Sequence, residues 1–188
     1  MEVVSKEEFQ RNEKLFVERI KEGAIFIYPT DTIYGIGCDA TNDEAVQKLR
    51  TLKDRSKNPF SVIVPSRKWI YSHCDVSEEA DQWVEKLPGP YTLILKTKKH
   101  AVSKYLAPGL DTLGVRIPAH WFSGAVERMG IPVVTTSANK TGKDFMTSLQ
   151  DLDESLRKAA DFIVYEGEKR GKPSQLVDLT AAPKLIER

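Results

Sequence analysis

GAIFIYPTDTIYGIGCDA, from Gly23 to Ala40, opens as an unbroken apolar run, Ala24-Ile25-Phe26-Ile27-Tyr28. A short run this rich in β-branched and aromatic residues predicts a strand buried on both faces. Pro29 ends it, because proline has no N–H for a ladder and fixes its own φ. Small polar groups follow, Thr30, Asp31 and Thr32, then Tyr34 between Ile33 and Gly35. Gly35 and Gly37 allow a close backbone approach or a positive φ. Hydroxyls, a carboxylate and free N–H groups at the C-terminal end of a buried strand mark the place where open α/β sheets bind ligands. On spacing alone, the same residues also suit a plain glycine turn capped by Thr and Asp.

Working outward, Ser5 with Lys6-Glu7-Glu8 reads as a helix start, and Phe9, Leu15, Phe16, Val17 and Ile20 keep helical spacing up to Gly23. On the other side, Thr41-Asn42-Asp43-Glu44 opens a second helix with Ala45, Val46, Leu49 and Leu52 as its buried stripe. It ends in the cations Arg50, Lys53, Arg55 and Lys57. Such a cluster commonly complements the helix macrodipole in solvent. Here it runs straight into a second buried strand, Phe60 to Val64, which sets it beside the core.

Helical pieces follow around Trp69-Ile70 and from Ser77 to Leu87, and Pro88-Gly89-Pro90 turns the chain into a strand, Tyr91 to Leu95. Lys96 to His100, KTKKH, reads as a solubilising edge. Thr112 to Pro118 predicts a strand with Thr112, Gly114 and Arg116 on one face. An arginine there needs an internal carboxylate or an anionic ligand, since an unpaired buried guanidinium is costly. A helix from Trp121 to Arg128 precedes Pro132-Val133-Val134, which discharges Thr135-Thr136-Ser137-Ala138-Asn139 into a Gly-containing turn. Two polar strand ends favour a shared cleft. The rest reads as a helix from Leu152 to Ala160, a strand from Phe162 to Tyr165, a mobile cationic loop at Lys169 to Pro173, and two closing strands, 174–179 and 184–186. Strands alternating with helices predict one α/β (α+β-like) domain over residues 1–188, a twisted mixed open sheet flanked by helices.

The chain has 188 residues, ample for a core, and a net charge of only +1, so no global basic field points to nucleic acid. Cys38 and Cys74 are too few and too far apart for a disulfide framework or a CxxC zinc site. The acidic start lacks an apolar h-region, and no run reaches transmembrane length. A soluble, cytoplasmic protein without membrane partners is expected.

PTDTIYGIGCDA, Lys53-Asp54-Arg55, PGPYTLIL, TLGVRIP, TTSAN-x-x-G and PSQLVD, in this order, resemble the YrdC/Sua5 family of L-threonylcarbamoyladenylate synthases. The resemblance runs from about Gly23 to the C-terminus and is to the single-domain YrdC type. It implies a YrdC-like fold, and threonylcarbamoyl-AMP and pyrophosphate made from L-threonine, bicarbonate and ATP. The product would serve threonylcarbamoyladenosine modification of tRNA by a partner transferase complex. By the same resemblance, Lys53 and Arg55 match a KxR pair that braces the phosphates. Ser137 and Asn139 match an SxN pair that, with Asn58, contacts ATP. Thr112 and Arg116 match a segment shared between nucleotide and threonine. Thr32, Thr135 and Ser174 fall at threonine-contacting positions, and Arg188 where a late arginine reaches the phosphates. Three departures stand out: Ser56-Lys57-Asn58-Pro59 is one residue shorter than the Sua5-type RPxxNPL, Ile63 replaces a threonine-contacting His, and Gln175 replaces a Thr. Ile63 is the expected apolar wall against the threonine methyl.

Attack of a carboxylate oxygen on an α-phosphorus needs positioning and cations, with Mg²⁺ on the ATP phosphates, and no covalent nucleophile. The sequence accordingly carries neither a Ser/His/Asp arrangement nor a P-loop. An RNA-binding module would use Lys96–His100 and Lys169–Lys172 on tRNA or duplex RNA, but near-neutral charge and few exposed aromatics weigh against that as the primary role. A metal-dependent sugar-phosphate lyase would need an acidic ligand cluster that the sequence does not offer.

Overall fold

Ser5 closes a capping box: its hydroxyl accepts the Glu8 N–H at 3.1 Å, and the Glu8 carboxylate accepts the Ser5 N–H at 2.7 Å. Two orphan donors at a helix start are satisfied at once. The helix it begins, α1 (Lys6–Arg11), breaks at Asn12 and resumes as α2 (Glu13–Lys21), where the sequence pattern suggested one piece. This computed structural model describes residues 1–55, 57–98 and 101–186.

Strand β2 (Phe26–Tyr28) is buried on both faces, as its composition requires. The glycine segment after it corrects the expected turn, because Gly35–Gly37 is itself a strand, β3, antiparallel to β2. Its glycines answer a packing demand. A Cβ on Gly37 would overlap the Val134 carbonyl oxygen, so only a bare backbone lets the neighbouring strand close in. Residues 29–34 thus form the tip of a hairpin.

The chain continues through α3 (Asp43–Leu52), β4 (Ser61–Ile63), α4 (Arg67–His73), α5 (Glu78–Val84), β5 (Tyr91–Lys96) and β6 (Thr112–Arg116). It ends with α6 (Trp121–Met129), β7 (Val133–Ser137), α7 (Glu154–Ala159), β8 (Phe162–Val164), β9 (Gln175–Asp178) and β10 (Lys184–Ile186). An N-terminal strand, β1 (Glu2–Val4), went unanticipated; it pairs parallel with β8 at one sheet edge. Among the described residues the sheet has ten strands in the order β1-β8-β2-β3-β7-β4-β6-β5-β9-β10. Parallel and antiparallel pairs mix, as the expected fold class demands.

Strand alternation sorts the core into two layers. Phe26, Tyr28, Ile63 and Phe162 pack with Phe9, Phe16 and Phe122 of α1, α2 and α6. Ile27, Ile36, Val62 and Val115 pack on the opposite face with Leu49, Val84 and Leu156 of α3, α5 and α7. The first layer is aromatic, with Tyr28 stacked on Phe122 at 4.7 Å between centroids. Further along that same face the side chains become small and polar, and there the site lies. Among the described residues, no helix is long and apolar enough to cross a membrane.

Candidate active site

The polar strand ends meet in a cavity of about 480 Å³ that collects the ends of β2, β7 and β6 and the loop before β9. That volume suits a small-molecule ligand. Arg55, Asn58, Thr112 and Arg116 line it, together with Thr135, Ser137 and Ser174. Thr32, Lys53, Ile63 and Asn139 do not, and Arg188 lies outside the described residues.

Arg116 answers the question posed by an arginine inside an apolar strand. Its Nη2 donates to Asp31 Oδ1 at 2.7 Å, with the two side chains only 6% and 11% exposed. The second Asp31 oxygen accepts the Ala119 N–H at 2.9 Å, so one carboxylate ties the β2–β3 tip to the chain leaving β6. Burial pushes the guanidinium pKa down, and Asp31 opposes it. Arg116 Nε is buried and has no hydrogen-bond partner. A buried donor without a partner is expensive, and one in a cavity wall calls for an explanation.

Lys53 and Arg55 divide roles that the sequence set side by side. Lys53 is 1% exposed. Its ammonium donates to the Ser137 carbonyl and Asn139 Oδ1, at 2.7 and 2.8 Å, and to the Asn139 carbonyl. Ser137 Oγ in turn donates to Asn139 Oδ1 at 2.7 Å, and Thr141 Oγ1 to the Lys53 carbonyl at 2.6 Å. The C-terminus of α3 is thereby clipped to the loop after β7, and Asn139 serves that clip outside the cavity. Arg55 instead faces the cavity, its guanidinium 5.1 Å from the Phe60 ring centroid and Nη1 3.2 Å from Thr136 Oγ1.

Burial, reinforced by Arg55, pushes the Lys53 pKa down to about 7, with Asp153 opposing. Between that value and the unfolded lysine's value of about 10.4, the unfolded chain holds the extra proton, so stability rises with pH across this window. Wild type should therefore gain stability relative to Lys53→Met as pH is raised from about 7 towards 10. Chemical denaturation of both proteins over that range checks the sign; a difference that shrinks with pH contradicts it.

Ile63 requires a correction. It is fully buried in the aromatic layer with Tyr28, Phe122 and Val133, so it is no wall of the cavity. It shares a face with Ser61, which does line the cavity, but stands one pleat further on, in the layer that α6 packs against. Thr32 is 8% exposed, its hydroxyl 3.0 Å from that of Thr30. Thr30 is the residue of this pair that lines the cavity, turned there as its hydroxyl donates to the Ile33 carbonyl at 2.7 Å.

Residues 165–174 cross the tip of the hairpin. A Cβ on Gly171 would overlap the Thr32 carbonyl oxygen, which fixes how close this strap lies. It is fastened at Glu166, whose carboxylate accepts from Lys169 Nζ (2.6 Å), Trp121 Nε1 (2.8 Å) and His120 Nε2 (2.9 Å). Burial disfavours the ionised carboxylate, yet these donors, Lys169 foremost, hold its pKa below the usual range. Lys169 and Arg170, expected on a mobile basic loop, are thus turned onto Glu166 and Glu168. Lys99 and His100 of the other basic cluster lie outside the described residues.

A family model described as telomere recombination, covering Sua5, YciO and YrdC, matches residues 18–188. A Methanocaldococcus jannaschii protein provisionally named threonylcarbamoyl-AMP synthase is 34% identical over 180 residues, 94% of this chain and 84% of that one. The chain belongs to the Sua5/YciO/YrdC family. The Pyrococcus abyssi threonylcarbamoyl-AMP synthase is 33% identical over 174 residues, 90% of this chain but 51% of its own length. This Sua5/YciO/YrdC chain therefore spans about half of that relative. Among solved structures, P. abyssi Sua5 complexed with L-threonine superimposes with a TM-score of 0.88 at 30% identity, covering 99% of this chain and 56% of that one. Escherichia coli YciO gives a TM-score of 0.86 at 25% identity, covering 100% and 94%.

Within this Sua5/YciO/YrdC site, sequence reasoning passed over Asp31 as the partner of Arg116, and over Thr30, Ser61 and Thr92 as lining residues. Strand alternation places Ser61 on the face of Thr112, Gly114 and Arg116 once the β4–β6 register is known, but that register is a tertiary fact.

Proposed function

We propose that this chain is a threonylcarbamoyl-AMP synthase, joining L-threonine, bicarbonate and ATP and releasing pyrophosphate. The observation that carries the reading is the unpartnered, buried Arg116 Nε in a hydroxyl-lined cavity that also receives Arg55. One cation suits a carboxylate deep in the site and the other suits phosphate oxygens, which is the charge pattern of an amino acid beside an adenylate. The names of the relatives in M. jannaschii and P. abyssi support the same reading.

In this mechanism threonine and bicarbonate give N-carboxythreonine and water. A carbamate oxygen attacks the α-phosphorus, the new O–P bond forms, and the bond to the β-phosphate bridging oxygen breaks, releasing pyrophosphate. ATP enters as its Mg²⁺ complex, the ion belonging to the substrate; among the described residues no cluster of three His, Cys, Asp or Glu side chains offers a protein-held site. Arg116 anchors the amino-acid carboxylate through Nε, Arg55 meets charge building on the phosphates, and Ser137, Thr112 and Asn58 position the nucleotide. Thr135 and Ser174 complete the amino-acid end. The released adenylate would be consumed by a transferase acting on tRNA.

The test is pyrophosphate release from ATP, expected only when both L-threonine and bicarbonate are present. Release independent of either, or stabilisation by duplex RNA and by neither substrate, would overturn the reading.

A further inference from the structure

Four adjacent strands contribute one row of side chains to the cavity floor: Ile94, Gly114, Ser61 and Thr135, matched by the β5–β6, β6–β4 and β4–β7 registers. The glycine makes a notch in that row. A Cβ on Gly114 would collide with Ser61 Oγ and stand 3.3 Å from Thr92 Cγ2. A hydroxyl and a methyl therefore face the space that one carbon would fill.

Both groups are presented for use. Among the described residues Ser61 Oγ makes no hydrogen bond, whereas the hydroxyls of Thr30, Ser137 and Thr92 all do. Thr92 Oγ1 lies 2.8 Å from Ser174 Oγ, with the two residues 1% and 4% exposed. That bond fixes the Thr92 rotamer with its methyl towards the notch. Arg116, whose Nε seeks an anion, is two residues along β6 from Gly114, on the same face and about 6.6 Å away at the usual strand rise. An α-amino acid held there by its carboxylate reaches the notch with a short side chain.

We propose that Ser61 and Thr92 are specificity-determining residues for the amino-acid substrate: Ser61 Oγ hydrogen-bonds its side-chain hydroxyl, and the Thr92 methyl packs on its methyl, both around the gap at Gly114. The inference rests on the threonine reading above and assigns the discrimination that Ile63, buried elsewhere, does not supply. Serine carries the hydroxyl without the methyl, and valine has nearly the shape of threonine without the hydroxyl. A site built to hydrogen-bond a hydroxyl rejects the analogue lacking it by about 10⁴-fold, whereas one methyl is worth about 10- to 200-fold.

The experiment is kcat/KM for L-threonine, L-serine and L-valine by pyrophosphate release at saturating ATP and bicarbonate, with thermal melting of each protein. Ser61→Ala is expected to cut the threonine-to-valine ratio by up to about 10⁴-fold, the discrimination that the hydroxyl contact supplies. Thr92→Ser keeps the bond to Ser174 and should cut the threonine-to-serine ratio by about 10-fold while leaving the valine ratio in place. A purely structural role would lower all three substrates alike. Should Ser61→Ala fail to fold, the Thr92→Ser ratios still decide the notch. Unchanged ratios in an enzyme that uses threonine overturn this assignment alone. A wild type without threonine-dependent release overturns the functional reading and the inference with it.

Discussion

Arg116→Met is expected to remove synthase activity and to cost about 3–5 kcal/mol of stability, because it breaks a buried pair and strands one charge. The stranded charge is Asp31, 11% exposed, whose other oxygen is committed to the Ala119 N–H. Two effects would then coincide in one variant, a weakened fold and a lost anion seat, and stability alone would not separate them. The double variant Arg116→Met with Asp31→Asn separates them. The amide oxygen introduced by the second substitution can still accept the Ala119 N–H, and no buried charge remains, so most of the stability should return. Activity should not, because no donor replaces Arg116 Nε in the cavity. Denaturant unfolding and pyrophosphate release on the three proteins give the comparison. If activity returns together with stability, Arg116 is a structural brace and the anion seat is elsewhere.

That ion pair also shows where sequence reasoning stops. Arg116 was recognisable because a guanidinium in TLGVRIP breaks an apolar pattern, and the two answers open to it were a carboxylate and a ligand. The structure supplies the carboxylate, Asp31, and leaves Arg116 Nε buried without a partner in the cavity wall. Asp31 lies in the opening motif itself, yet nothing local marks it as a partner 85 residues away. Strands and helices were legible for the ordinary reason that apolar runs and stripes must be buried. The exceptions were set by tertiary packing. Gly35–Gly37 has the composition of a turn and forms a strand between β2 and β7, where a Cβ on Gly37 would overlap the Val134 carbonyl oxygen. Ile63 sat in the right motif but one pleat out of the cavity, and a one-pleat offset is invisible without the neighbouring strand and the helix layer packed on it.

Lys53 and Arg55 should part company when each is removed, although the sequence presents them as one cationic pair. Arg55 faces the cavity, half-buried, with the Phe60 ring under its guanidinium. Arg55→Ala should lower kcat/KM by roughly a hundredfold or more, the loss of about 3 kcal/mol expected when a donor on a transferring phosphate disappears. Its stability cost should stay at about 1 kcal/mol, since the change vacates the edge of an open cavity. Lys53→Met should behave differently. The family resemblance implies an ammonium on the ATP phosphates. Instead it is enclosed and holds two carbonyl groups and the Asn139 side chain. Leaving those acceptors buried without a donor should cost about 2–4 kcal/mol, at one to three per orphaned group with partial relaxation. Activity should fall as well, through Ser137, whose hydroxyl is oriented by the same Asn139 that Lys53 grips. Because this loss passes through the loop after β7, to which the proposed function assigns the nucleotide, it should show first in the KM for ATP, at a temperature where the variant remains folded. Unfolding curves and ATP-dependence of pyrophosphate release on both variants decide the matter. A Lys53→Met protein as stable as wild type, with kcat alone reduced, would mean that the ammonium leaves its clip and acts on the phosphates directly.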